Sequence, residues 1–511
     1  MSKKFSLLDN RVTILNPKQF GLILGPLSFI LIIGIIPTPD ELPEKGKYVF
    51  ALSVWMIIWW ITEAIHVYAT SLLPLGLMPA MGILSLEDVA AEYMHPIIVL
   101  LLGMFLIAIA IEKSGFHRKV AYELIGIFGY SPKRIVLGFI VSTAAMSTVI
   151  MSTTVVLIML PIAFVILNAI SKHNLRVSQK FRTMLLLGVA YSSSIGSVST
   201  LIGAPPNLLY AGTVRELFDH TVTFAEWSSL GAPLSLIMLL VLCLYIMKVL
   251  GREKIEKVNN IGQDTSIEEN SGGKATVTNE IEFRKIILSE KKMTGKVTNE
   301  QKTVVGVLIL VLVLMFTSPL WIPTGSFITN SVIAILGGIS LFALPRIRAT
   351  GSKSLLDWAE VEKLPFGLLF LLGGGLALSL AFVQSGLANW IASSLSFMVV
   401  LPFEIVVMLI VGLIMFMSNV KSNTSTAAIF IPIVSNMALM NNWTPLPILF
   451  GITIASSFAF LLPMGTPPNA LVYEKGRVKM KDMFVNGIVL NFIAIALITV
   501  FTVFISPIFL S

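Results

Sequence analysis

Residues 200–212 read TLIGAPPNLLYAG and residues 462–476 read LPMGTPPNALVYEKG; both contain G-x-P-P-N-x-L, with a tyrosine within two positions of the leucine. Asn207 and Asn469 lie 262 residues apart, at similar places in the two halves of a 511-residue chain. A match of this length inside apolar segments is a repeat signal, and repeats decide the fold. A second pair precedes it. MSTTVVLIMLP at 151–161 and SNTSTAAIFIP at 422–432 each start with small polar residues and reach proline ten positions later.

The chain around these motifs is that of an integral membrane protein. It is 55% hydrophobic and 13% charged, with a mean hydropathy of +0.87, far above the balance of soluble domains. Apolar stretches of about 20 residues, enough to cross roughly 30 Å of hydrocarbon as helix, recur from Gly21 onward and give about ten to twelve crossings or part-crossings. Residues 1–20 are polar and lack the apolar core and cleavage site of a leader, so they read as a cytoplasmic N-terminal segment. Residues 251–302, with ten Lys/Arg and nine Asp/Glu around NSGGK, read as a solvated cytoplasmic loop between a first membrane half (21–250) and a second (303–511). The net charge of +8 sits at helix ends and in loops, so it speaks to topology and not to a nucleic-acid partner. The single cysteine, Cys243, lies in the apolar run LIMLLVLCLYIM, which excludes a disulfide framework and a cysteine metal site.

Charge also orients the halves. The connection SKHNLRVSQKFR (171–182) carries Lys172, Arg176, Lys180 and Arg182, whereas its counterpart MNNWTPLP (440–447) carries none. After the G-x-P-P-N motif the bias reverses: AGTVRELFDH has one basic residue, and EKGRVKMKD has Lys475, Arg477, Lys479 and Lys481. Equivalent loops therefore fall on opposite sides of the membrane, the pattern of inverted-topology repeats with a site near the midplane. The same reasoning places the N-terminus in the cytoplasm and the C-terminus outside, after a last span from about residue 485 to 509.

The Pro-Pro pairs remove two backbone donors each, so Gly203-Ala204-Pro205-Pro206 and Gly465-Thr466-Pro467-Pro468 are expected to unwind their helices. Unwound backbone at membrane depth lines a cavity, and the restarting helix offers a positive N-terminal end to an anion. Ser152, Thr153, Asn423 and Thr424 donate hydrogen bonds without charge, which suits reversible capture of carboxylate oxygens. The serines of YSSSIGSVST (191–200) and TIASSFAF (453–460) read as close helix packing. Lys421 stands out, because a lysine at mid-bilayer depth costs about 2.5–3.5 kcal/mol on insertion scales and therefore faces a cavity, pairs or snorkels. Glu63 and His66, three apart, read as a structural pair at the interface, with a proton relay as the alternative. Glu112, Lys113, His117, Arg118 and Lys119 read as boundary charges. No HExxH, P-loop or GxSxG pattern occurs, so no metal, cofactor or catalytic site is expected.

Two S-N-T-like clusters, each followed by a G-x-P-P-N turn in inverted halves, resemble the divalent anion/sodium symporter family, and within it the INDY-type dicarboxylate exchangers. The resemblance implies an all-α polytopic fold of about eleven spans plus two re-entrant hairpins, near 135–154 and 402–424, with a scaffold and an elevator transport domain. It further implies a homodimer in membrane lipids that carries small dicarboxylates such as succinate, malate, fumarate or 2-oxoglutarate across the cell membrane. Carried over by position, Ser422, Asn423 and Thr424 would hold a carboxylate with Thr466 and Pro467 beside them. Ser152, Thr153, Ala204 and Pro205 would do so in the first half, when the clusters are aligned without a gap on Pro161 and Pro432. The cation positions of the family fall near Ser147, Met151, Gly203, Ser418 and Gly465. A thioether at Met151 and an ammonium at Lys421 depart from that pattern. They point to sodium-independent exchange with Lys421 as built-in counter-charge. The alternatives are a sodium-coupled di- or tricarboxylate symporter, a channel, and an intramembrane hydrolase using Lys421 and Ser422 as a dyad.

Overall fold

The computed structural model describes residues 17–510, apart from 40, 130, 173–174, 177, 252–255, 258–283, 286–287, 290, 293–294, 324–325, 346–353, 395–400, 421 and 477. The first half contains α1 (Pro17–Gly34), α2 (Glu44–Thr62), α3 (Val67–Thr70), α4 (Leu73–Ala80), α5 (Leu86–Tyr93), α6 (Pro96–Ser114), α7 (Phe116–Phe128), α8 (Pro132–Ser147), α9 (Ser152–Lys172), α10 (Gln179–Ser197), α11 (Pro205–Phe218) and α12 (Phe224–Leu250). The second contains α13 (Asn299–Trp321), α14 (Asn330–Ala343), α15 (Trp358–Val361), α16 (Phe366–Gln384), α17 (Leu387–Ser394), α18 (Phe403–Val420), α19 (Asn423–Met440), α20 (Pro445–Ser457), α21 (Pro467–Gly476) and α22 (Met480–Val500). Among the described residues the only strands are the two-residue pair Leu175–Arg176 and Glu256–Lys257. The fold is therefore all-α.

Composition sorts the helices into shell and core. Among the described residues seven helices are long and apolar enough to cross a membrane, with five shorter apolar ones beside them. The stretches Phe224–Leu250 and Asn299–Trp321 combine hydropathies of 2.4 and 2.5 with only 39% and 22% burial inside the protein, so most of their apolar surface faces hydrocarbon. By contrast α10 is buried at Phe181 and from Thr183 to Ser197, including Ser192, Ser193, Ser194 and Ser197. Ser193 and Ser197 donate to carbonyls three residues back, at 2.7 and 2.8 Å. A Cβ on Gly196 would stand 2.3 Å from the Ala144 carbonyl oxygen, so the small residues do serve close packing of α10 on α8.

At the far end of α6 the chain turns through Gly115, whose φ of 69° favours glycine, into the amphipathic α7. The charges there do more than mark a membrane boundary, because they join the halves. Lys113 Nζ lies 3.0 Å from Asp357 and 3.6 Å from Glu360. Lys119, 8% exposed, donates to Gln301 at 2.7 Å and to the Lys296 carbonyl. The expected pairing of Glu63 with His66 is corrected. Helix α2 ends at Thr62, Glu63 takes a left-handed conformation and pairs with Lys18 at 3.6 Å, and His66 Nδ1 caps α3 by accepting from the Tyr68 amide. The two residues share no helix face, which removes the relay.

Candidate functional site

The two motifs build the same object twice. Helix α10 stops at Ser197 and α11 restarts at Pro205; α20 stops at Ser457 and α21 restarts at Pro467. The proline pairs occupy the first turn of the restarting helices, where the missing amide hydrogens are orphans in any case, so the break lies upstream of them. What holds the unwound stretches is the asparagine. Asn207 Nδ2 donates to the carbonyls of Ser197 and Thr200, at 3.2 and 2.8 Å, and Asn469 Nδ2 donates to those of Ala459 and Leu462, at 2.8 and 3.2 Å. The acceptors sit ten and seven residues before the asparagine in both halves. Both asparagines are fully buried, and in both the Oδ1 has no hydrogen-bond partner.

The polar clusters open helices in matching register. Helix α9 begins at Ser152 and α19 at Asn423, residues that the gap-free alignment on Pro161 and Pro432 sets opposite each other. Helix α8 precedes the first cluster and α18 the second, each forming a helical hairpin with its follower. The span 135–154 thus covers one arm and the turn, and the second arm continues to Lys172; in the second half the arm after the turn continues to Met440.

Crosswise packing interleaves the halves. Arm α9 packs on α21, and arm α19 packs on α11, so each hairpin touches the restarted helix of the other half. Tyr191 of α10 donates from its hydroxyl to the Phe460 carbonyl at 2.9 Å, tying the first broken helix to the second unwound stretch. In the first half the Thr200 hydroxyl donates to the Thr148 carbonyl, which fixes the unwound stretch to the hairpin turn.

Each candidate residue can now be placed. Met151, Ser152 and Thr153 are half-buried at the first hairpin turn. Ala204 is the extended cap residue of α11, 3% exposed, and Pro205 is its half-buried first residue. In the second half Ser422 and Asn423 are half-buried, whereas Thr424 is 3% exposed. Asn423 Oδ1 accepts from the Thr424 amide at 2.9 Å. Thr466 is buried and accepts from the Asn469 amide at 3.4 Å, and Pro467 is exposed. Lys421 lies outside the described residues.

The serines at the hairpin ends differ between halves. Ser418 is fully buried and donates to the Ser456 carbonyl. Ser147, its positional counterpart, is also fully buried, and its Oγ has no partner. Gly203 and Gly465 are both buried within the unwound stretches. Sequence reasoning named the motifs and overlooked Asn207 and Asn469 as the groups that hold them, although the repetition of asparagine was the visible signal. It also overlooked Glu92, His95 and Glu216, which meet at the opposite end of α6 from Lys113.

Two broken helices and two helical hairpins, packed crosswise inside a lipid-facing shell, define a multi-pass membrane transporter. A family model described as the sodium:sulfate symporter transmembrane region matches residues 18–510. The SdcS sodium-dependent dicarboxylate transporter of Staphylococcus saprophyticus is 34% identical over 497 residues, covering 95% of this chain and 91% of that one. The SdcS protein of Staphylococcus aureus is 34% identical over 501 residues, covering 96% and 91%. The YdaH transporter of Alcanivorax borkumensis shows a TM-score of 0.49 at 14% identity, covering 95% of this chain and 97% of that one, too distant a likeness to bear on the site. The chain belongs to the sodium:sulfate symporter family, the divalent anion/sodium symporters. It is a transporter and not an enzyme, so the Lys421–Ser422 hydrolase reading is set aside.

Proposed function

We propose that the protein is a sodium-coupled symporter of small dicarboxylates, working as a homodimer whose hairpins and broken helices move as an elevator in the cell membrane. Ser152 and Thr153 from one half, and Ser422, Asn423 and Thr424 from the other, donate to the two carboxylates. Ala204, Pro205, Thr466 and Pro467 line the same space from the unwound stretches. Neutral donors suit the task because the anion must be released as readily as it is captured.

One observation supports coupling to a cation. Ser147 Oγ at the end of the first hairpin arm, and Asn207 Oδ1 and Asn469 Oδ1 beside the two unwound stretches, are buried oxygens without partners. Such an oxygen carries a desolvation cost of about 1–3 kcal/mol, which a hard cation seeking oxygen ligands offsets. This reverses the weight given to Met151 and Lys421. The exchange reading rests on those two departures, yet the relatives are named sodium-dependent over nearly the whole chain. Gly203, Gly465 and the Met151 carbonyl remain the neighbouring backbone of the cation positions, and Ser418, already bonded to Ser456, contributes least. The orientation with a cytoplasmic N-terminus and an external C-terminus belongs to the same proposal.

Uptake of labelled succinate into proteoliposomes tests this reading. An inward sodium gradient is expected to drive accumulation with no dicarboxylate inside, and Lys421→Ala is expected to keep that sodium requirement. Uptake that ignores sodium and demands internal dicarboxylate would restore exchange and overturn symport. Met151→Ser adds a hydroxyl at the first hairpin turn, and the sodium concentration for half-maximal uptake is expected to fall several-fold, by about 1 kcal/mol for one added oxygen donor.

A further inference from the structure

We propose that Glu92, His95 and Glu216 form a divalent transition-metal site that takes Zn²⁺ and joins α5, the start of α6 and the last turn of α11. A Glu92 carboxylate oxygen, a His95 ring nitrogen and a Glu216 carboxylate oxygen lie within 4.8 Å of one another. Glu92 is only 5% exposed, and its Oε2 has no hydrogen-bond partner. A buried carboxylate beside the exposed carboxylate of Glu216 is costly unless it takes up a proton or a cation compensates it.

The geometry fits zinc. A tetrahedral site with bonds of about 2.0–2.2 Å sets its ligand atoms about 3.3–3.6 Å apart. His95 Nε2 already lies 3.2 Å from Glu216 Oε1, so closure needs mainly the approach of Glu92. One imidazole and two carboxylates are a zinc-type donor set, whereas calcium and magnesium prefer oxygen alone. Two carboxylates balance the charge of the ion. A cavity of about 360 Å³ lined by His95 and Arg215 borders the cluster on the His95 side, and the Arg215 cation is a charge that the bound ion must offset.

Binding replaces the His95 Nε2–Glu216 hydrogen bond and carries a further local cost. His95 Nδ1 accepts from the Ile97 amide at 3.3 Å, and coordination through Nε2 moves the ring proton to Nδ1 and releases that cap. The bond given up is at the long limit for such contacts.

The site is independent of the transport reading, and its test needs no uptake. Equilibrium dialysis of the purified full chain against zinc chloride at neutral pH is expected to show one Zn²⁺ per chain, with a raised unfolding temperature that magnesium chloride does not reproduce. Loss of outer partners at metal sites costs about 10–100-fold in affinity, so His95→Ala and Glu92→Gln, each removing a ligand, are expected to lower it by more than about a hundredfold. Glu92→Gln keeps the side-chain shape and serves if His95→Ala folds poorly. His220→Ala, which alters a histidine outside the cluster, is expected to keep the full stoichiometry. Absence of zinc binding in the unaltered chain, or binding unchanged by both ligand substitutions, overturns the proposal.

Discussion

Replacing Asn207 by alanine is expected to abolish uptake and to lower the unfolding temperature sharply, and Asn469→Ala is expected to do the same to a similar degree. Each side chain bonds two carbonyls of an unwound stretch, at 2.8 and 3.2 Å in both halves. The Thr200 and Leu462 carbonyls also accept from the Gly203 and Gly465 amides, at 3.3 and 3.2 Å, so each variant strands one buried acceptor, Ser197 or Ala459, at a cost of about 1–3 kcal/mol. Water can recover part of that only by entering where the asparagine stood, which loosens the stretch that shapes the site. Asn207→Asp is the sharper test, since it keeps the shape and has at most one proton to offer the two carbonyls. A simple proline kink would place no such demand on the asparagines. Thermal unfolding in detergent together with succinate uptake measures both effects, and near-normal transport by Asn207→Ala would remove the clamp from the argument.

The repeat was legible because backbone chemistry leaves marks in sequence. Proline pairs cannot continue a helix, so the two interruptions followed from Pro205-Pro206 and Pro467-Pro468 alone. The register of the hairpins was legible for a similar reason: Pro161 and Pro432 set Ser152 opposite Asn423, and helices α9 and α19 start at those residues. What sequence could not carry was partner choice over long distances. Lys113 and Lys119 look like ordinary boundary charges until Asp357 and Gln301 are found beside them, 244 and 182 residues away. Glu92 and His95 are near neighbours in sequence, yet Glu216 reaches His95 across 121 residues. Glu63 and His66 show the converse error, because spacing of three implies a shared face only while the helix lasts, and α2 ends at Thr62. The exchange reading gave a single costly lysine the most weight, while three unpartnered oxygens were invisible without burial.

Gly203→Ala is expected to be severely damaging, and far worse than the same change at Gly465. A Cβ at 203 would stand 2.1 Å from the Ser197 carbonyl oxygen and 2.8 Å from the Ser197 carbonyl carbon and Cα. That carbonyl is one of the two that Asn207 holds, at 3.2 Å, so the added methyl drives the acceptor away from its donor. Backbone at the end of α10 has no rotamer to change, and this part of α10 is packed against α8 and, through Tyr191, the Phe460 carbonyl. The cost therefore exceeds the about 1–3 kcal/mol typical of one overpacked methylene. At Gly465 the nearest atoms are the Ala459 Cβ at 2.9 Å and the Asn419 Cα at 3.2 Å, a crowding that shifts of a few tenths of an ångström relieve. Gly465→Ala is expected to fold with uptake reduced, within that ordinary overpacking range. Gly306→Ala, where an added Cβ meets nothing within 4 Å inside α13, is the control and is expected to gain up to about 1 kcal/mol from helix propensity. Size-exclusion profiles, unfolding temperatures and uptake for the three variants order them as Gly306, Gly465, Gly203. Equal tolerance at 203 and 465 would mean that the first unwound stretch is not held against Ser197.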